Sequence, residues 1–202
     1  DDAGWTECKI SVSNSLDERL IQNLFLQGAQ IDMFGVGERM ITAKSEPVFG
    51  GVYKLTAVEN EQGEIIPKIK CSENVEKITI PHFKKVYRLY NKDNGKAIAD
   101  YMTVYDEVVD ENEPMMLFDP YATWKTKNVC NYQARELLVP VFLKGKKVYE
   151  SPALKDIQTY CKQQVDTLWD EIKRFDNPQT YYVDLSQKLW DIQQELLRKN
   201  RN

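Results

Sequence analysis

The sharpest local feature of the sequence is Gly35-Val36-Gly37, followed by Glu38-Arg39. Two glycines one residue apart let a ligand approach the backbone closely. Successive N–H groups there can cradle an oxyanion, above all where a helix begins. The pattern directly follows a run that reads as a parallel strand, the end of the sheet where α/β proteins place ligands. An ordinary glycine-rich strand-to-helix turn has the same spacing. GxG without a third glycine is not a dinucleotide fingerprint, and GxxxxGK[ST] does not occur. Ser13-Asn14 closes the preceding strand and falls beside Gly35 if the two strands are neighbours. Their hydroxyl and amide would then serve a phosphate or ribose, or simply lead into a helix cap at Ser15. Arg39 and Lys54 are cations that either add to an anion site or are solvated and paired.

Other reactive residue types offer less. The single histidine, His82, sits in Ile80-Pro81-His82-Phe83-Lys84 with no Ser or Cys nucleophile motif, and reads as a surface residue. Cysteines at 8, 71, 130 and 161 form no CxxC pair, so a Cys/His zinc site is not expected and four reduced thiols are. Asp106, Glu107, Asp110, Glu111 and Glu113 lack the spacing of an EF-hand loop and read as a solvated loop. Lys84-Lys85 and Lys144, Lys146 and Lys147 flank turns as solubilising charge.

The elements that must position these groups follow from hydropathy and turn chemistry. Residues 8–12 form a strand with β-branched residues at alternate positions. Ser15-Leu16-Asp17-Glu18 reads as a capping box, with Ser15 and Glu18 satisfying each other's backbone N–H. Leu16, Leu20, Ile21, Leu24 and Phe25 recur at helical spacing, and Gly28 supplies a left-handed stop. Residues 31–34 form a second strand, parallel to the first because a helix intervenes. A lone β-α-β unit cannot cover both faces of a parallel sheet, so this part reads as incomplete.

After Gly50-Gly51 the signals become hairpins: 52–59 with 65–71, 85–90 with 96–105, and 137–143 with 147–149. Pro67 marks an edge strand or bulge. Residues 154–175 then trace one apolar helical stripe, broken at Asn177-Pro178, and a second helix starts at Leu185. The reading is α/β, with segments at 1–50, 51–150 and 151–202.

Composition sets the outer limits. Of 202 residues, 42% are apolar and 11% aromatic, enough to fill a core, which excludes wholesale disorder. The net charge of −4 argues against nonspecific nucleic-acid binding. No run approaches the ~20 apolar residues that span a bilayer, so no membrane role is expected. Asp1-Asp2-Ala3-Gly4-Trp5 is neither basic nor followed by an apolar stretch, unlike a signal peptide.

Several segments together carry a resemblance. The run from Ile10-Ser11-Val12-Ser13-Asn14 through Asp32-Met33-Phe34-Gly35-Val36-Gly37 to Gly50-Gly51-Val52-Tyr53-Lys54-Leu55 resembles bacterial-type nicotinate phosphoribosyltransferases, as does Phe83-Lys84-Lys85-Val86-Tyr87-Arg88-Leu89-Tyr90. The likeness extends over nearly the whole chain. It implies a partial irregular α/β barrel of the type II phosphoribosyltransferase kind over 1–50, antiparallel hairpins over 51–150 and C-terminal helices over 151–202. It implies formation of nicotinate mononucleotide from nicotinate and phosphoribosyl pyrophosphate with ATP hydrolysis, in NAD biosynthesis. It also implies Mg²⁺, a cytoplasmic setting and a homodimer in the full-length enzyme.

By matching positions, Gly35 and Gly37 would bind the 5′-phosphate through backbone N–H groups, with Glu38 beside them and Ser13 and Asn14 on the same ligand. Many relatives carry Thr where this chain has Glu38; a carboxylate cannot donate to a phosphate, so Glu38 would contribute its N–H, or its side chain would serve ribose or Mg²⁺. The family's phosphorylated His, its nicotinate-gripping Arg and its Ser-Gly-Asp segment precede the region matched here. The resemblance therefore implies a C-terminal portion with no catalytic residue of its own, holding half a phosphate site. Two alternatives stand beside it: a noncatalytic interaction module, and a related phosphoribosyltransferase for quinolinate or nicotinamide.

Overall fold

A computed structural model of the chain describes residues 2–48 and 50–200. It divides into two compact units, residues 1–53 and 54–202.

The first unit is a β-α-β element. Strand β1 (Ser11–Ser13) pairs in parallel with β2 (Met33–Gly35), in the register Ser11↔Met33, Val12↔Phe34 and Ser13↔Gly35. Helix α1 (Glu18–Leu26) connects them, and Phe25 meets Phe34 edge to face at 5.5 Å between centroids. The parallel pairing agrees with the sequence reading, but both strands are short and displaced toward their C-terminal ends. The cap differs too. Asp17, not Ser15, is the N-cap, its Oδ1 accepting from the Leu20 N–H at 2.8 Å. Asn14 and Ser15 take left-handed backbone angles (φ +86° and +51°), which delays the helix start by two residues. Gly28 is left-handed as expected (φ +80°), and the Gly28 and Ala29 N–H groups close the helix end on the Phe25 and Leu24 carbonyls. A single-turn helix, α2 (Glu38–Ile41), follows Gly37.

The second unit opens with a small hairpin of β3 (Ala57–Glu59) and β4 (Ile65–Pro67). The expected strand over 52–59 is thus confined to its last three residues. Its main sheet has the order β12-β6-β5-β9. Strands β5 (Lys84–Asn91), β6 (Ala97–Val104) and β9 (Tyr132–Glu136) are antiparallel, and β12 (Val183–Leu185) joins β6 in parallel. Strands β7 (Met115–Asp119) and β8 (Ala122–Val129) make a separate hairpin. The last expected hairpin contracts to β10 (Phe142–Leu143) and β11 (Lys146–Lys147) around left-handed Lys144 and Gly145.

The predicted helix over 154–175 is two pieces, α3 (Leu154–Asp166) and α4 (Asp170–Lys173), because Trp169 turns out of the helix and donates its indole N–H to the Ala97 carbonyl. The final helix, α5 (Gln187–Lys199), starts two residues later than expected, since Leu185 is spent in β12. The core of this unit has two centres: Leu89, Ala99, Leu117, Val129 and Tyr132 in one, and Val104, Leu185 and Leu189 in the other. Burying each such leucine stabilises the fold by ~1.5–3 kcal/mol. Among the described residues, no helix is long and apolar enough to cross a membrane.

Candidate functional site

The parallel register puts Ser13 directly opposite Gly35. The C-terminal ends of the two strands therefore finish side by side, and the turns leaving them border the same space. A hollow of about 390 Å³ lies there, lined by Ser13, Asn14 and Ser15 after β1 and by Gly35, Gly37 and Glu38 after β2. All five sequence-predicted site residues thus meet in one place. Arg39 and Lys44 complete the lining together with Leu16. Leu16, 3% exposed, anchors the turn between β1 and α1.

The glycines do different jobs. A Cβ at Gly35 would stand 3.0 Å from Ser13 Oγ and 3.2 Å from Ser13 Cβ, so the close strand approach requires its absence. A Cβ at Gly37 would meet nothing within 4 Å and would project into open space. In α2 the first intrahelical donors are Met40 and Ile41, both to the Gly37 carbonyl. The N–H groups of Glu38 and Arg39 precede them and have no intrahelical acceptor, as at any helix start. Ser13 Oγ donates to the Gly35 carbonyl at 3.2 Å, so its hydroxyl hydrogen is already used in tying the strands together.

The charges at the hollow are balanced, each cation facing a carboxylate. Arg39 lies 3.7 Å from the Asp17 carboxylate, and Lys44 lies 3.4 Å from Glu38. The Lys44–Glu38 pair is exposed, a kind that contributes ~0–1 kcal/mol, and the Arg39 pair is loose though Asp17 is half-buried, so an incoming dianion can compete for the cations. Glu38 is the one carboxylate in the lining and turns its side chain to Lys44. Lys44 is a site residue that the sequence reading missed; nothing in its local pattern distinguishes it from other surface lysines. Lys54 belongs to the second unit, where its ammonium donates to the Lys77 carbonyl at 3.2 Å.

The remaining candidates are structural. His82 is half-buried with φ +79°; its Nδ1 accepts from the Phe83 N–H at 2.9 Å and its ring stacks on Tyr105. Lys84 is not solubilising charge. Its ammonium donates to the carbonyls of Ile80, Pro81 and His82, and burial lowers its pKa. The acidic loop is not merely solvated either. Glu107 accepts from the Val104 N–H and the Ser186 hydroxyl, Glu111 accepts from the Ala134 N–H, and Asp106 pairs with Lys188, which holds its carboxyl below the usual range. The four cysteines are exposed free thiols. Among the described residues no three Cys, His, Asp or Glu side chains gather in a way that would hold a metal ion.

With this geometry in view, comparison with known proteins defines the class. Residues 83–193 match the family described as nicotinate phosphoribosyltransferase C-terminal domain. The chain belongs to that family. It is 44% identical over 190 residues to nicotinate phosphoribosyltransferase of Bacillus subtilis, covering 94% of this chain and 39% of that protein. It is 33% identical over 198 residues to the Caenorhabditis elegans enzyme of the same name, covering 97% of this chain and 34% of the relative. A solved structure of human nicotinic acid phosphoribosyltransferase shares the fold, with a TM-score of 0.68 at 24% identity over 96% of this chain and 34% of that one. The chain thus spans under two-fifths of the length of these relatives. The family match lies wholly in the second unit, whereas the hollow lies in the first.

Proposed function

We propose that the chain is the C-terminal portion of a nicotinate phosphoribosyltransferase, and that its first unit supplies the corner that holds the 5′-phosphate of phosphoribosyl pyrophosphate. The convergence of Ser13, Asn14, Gly35, Gly37 and Glu38 on one hollow at two parallel strand ends carries this reading. The relatives' shared name supports nicotinate, rather than quinolinate or nicotinamide, as the base. In this reading the β1-α1-β2 element is a segment of an irregular α/β barrel. Exposed Phe25, Leu26 and Ile41 support that, since a two-stranded parallel sheet covers neither of its faces alone.

The chemistry would proceed by displacement at C1 of the ribose, with positive charge developing on the sugar as pyrophosphate leaves. Residues of this chain would act at the opposite end. Backbone N–H groups of Gly37, Glu38 and Arg39 would hold the 5′-phosphate, with Arg39 exchanging Asp17 and Lys44 exchanging Glu38 for it. Fixing the unreactive end orients the reactive one, so binding energy there lowers the barrier as well as KM. Glu38 takes part through its N–H, its carboxylate giving up Lys44 to the phosphate. Nicotinate, ATP and the second subunit of a homodimer are further partners of the whole enzyme in this proposal. One carboxylate already paired with lysine does not suit a resident Mg²⁺. By itself the chain is expected to bind the sugar phosphate and to turn nothing over.

In the full-length enzyme, Gly37→Val should lower kcat/KM for phosphoribosyl pyrophosphate by ~10²-fold, since a blocked charge-assisted contact is worth about 1.5–3 kcal/mol. An unchanged value removes Gly37 from the site and the proposal with it.

A further inference from the structure

A second cavity, inside the second unit, has no part in the phosphate corner. About 260 Å³ in volume, it opens between the β12–β6 edge of the main sheet and the β7–β8 hairpin. Ala99 and Leu117 give it an apolar floor, and Lys125 and Lys127 stand on the exposed run of β8 at its mouth. Asp184 of β12 faces into it.

Asp184 is the anomaly. The residue as a whole is 5% exposed, and its side chain lines the cleft without a side-chain hydrogen bond to the described residues. Burial, and then the neighbouring Asp119, push its carboxyl up to about 6, against the opposing pull of Lys127. Its oxygens are not shut away from solvent, since among the described residues the buried side-chain atom without a partner is Thr103 Oγ1, so the carboxylate opens into the cleft, where a ligand's donors can replace water. Asp119, by contrast, is satisfied: its Oδ1 accepts from the Tyr121 and Ala122 N–H groups, and Lys125 lies 4.0 Å from its Oδ2. The space in front of Asp184 is several times the ~30 Å³ share of one water and just below the ~300–1,000 Å³ range of drug-sized ligand pockets, which suits a small molecule. With no third carboxylate, His or Cys gathered there among the described residues, the donor set does not suit a metal ion.

We propose that this cleft binds a small amphoteric molecule whose N–H-rich cationic head pairs with the Asp184 carboxylate and whose anionic end meets Lys125 and Lys127 at the mouth. The head class is an amidinium, guanidinium or protonated amino-heterocycle, because a planar pair of N–H donors matches a carboxylate two to two. The apolar floor favours a flat ring between the two ends.

The probe is 4-amidinobenzoate, titrated into the chain and followed by amide NMR. The expected result is a saturable response confined to the amides around the cleft, among them Ala99, Leu117, Thr126 and Asp184. Benzoate at equal concentration should give none. Asp184→Asn should weaken the probe at least tenfold. Thr126→Trp, an exposed position on the lining, should close the mouth and abolish binding with the spectrum otherwise retained; this variant carries the test if the first does not fold. No saturable response, an equal response to benzoate, or full affinity in the folded variants would overturn the proposal.

Discussion

Ser13 Oγ donates to the Gly35 carbonyl at 3.2 Å across the β1–β2 pair, and the space a Cβ at Gly35 would need is filled by Ser13 itself. The two residues therefore act as one joint. Serine supplies a hydrogen bond at the strand end, and glycine supplies the close approach that lets both turns border the same hollow. Gly37, two residues on, carries no such packing load. Position 35 is where the fold excludes a side chain, and position 37 is where a ligand would.

This division predicts a compensation. Gly35→Ala should destabilise the first unit by about 1–2 kcal/mol through crowding, and should cost much less than that when introduced into a Ser13→Gly background. Chemical denaturation of the single and double variants checks it. Additive destabilisation would mean that the contact between Ser13 and Gly35 is not what forbids the side chain.

The start of α5 depends on a shared acceptor. Ser186, 2% exposed, accepts from the Leu189 N–H and donates to Glu107 Oε2 at 2.7 Å, the same oxygen that takes the Val104 N–H. Ser186→Ala removes the cap and a donor to a partly buried carboxylate. It should cost about 1–2 kcal/mol, read as a shift in denaturation midpoint with unchanged slope. A change below about 0.3 kcal/mol would be ordinary for a surface site and would contradict this role.

Asp184 gives a pH signature. Its folded carboxyl is raised from 3.8 to about 6, so the native state holds a proton that the unfolded chain releases. The stability this contributes is fully present below about pH 4 and is lost as pH rises through 6, a difference on the order of 2–3 kcal/mol. Asp119 and Lys127 are the charged groups that act on it. Asp184→Asn imitates the protonated form without titrating, so its stability relative to wild type should rise by that amount between pH 4 and 7. Parallel stability curves for the two proteins would contradict the assignment.

How much of this was legible in the sequence depends on how local each signal is. Gly28 as a helix stop, the parallel pairing of β1 with β2 and the turn at Asn91–Gly95 are short-range matters, and the readings agree with the structure. The gathering of Ser13, Asn14 and Gly35 follows from the pairing alone. Ser15 misled because a capping box is judged from residue types, while left-handed angles at Asn14 and Ser15 hand the cap to Asp17. Strand β12 was invisible because Val183–Leu185 becomes a strand only against β6, some eighty residues earlier. The β7–β8 hairpin did leave a signal, Asp119-Pro120 between two β-prone runs, with Asp119 Oδ1 accepting from the N–H groups of Tyr121 and Ala122. Lys84 and Glu107 looked like surface charge because their partners are backbone groups that only the folded loop presents.

The corner beyond β1 and β2 is the proposed seat of a sugar phosphate, and fixing that end is what would orient the reactive one. The most direct measurement is an amide NMR titration of the chain with ribose 5-phosphate, with ribose as the uncharged control and the Gly37→Val variant alongside. Saturable shifts centred on Asn14, Gly35, Gly37 and Glu38 are expected, absent with ribose and weakened at least tenfold by the valine. Shifts scattered over surface lysines, or an undiminished response in the valine variant, would contradict a phosphate site at these strand ends.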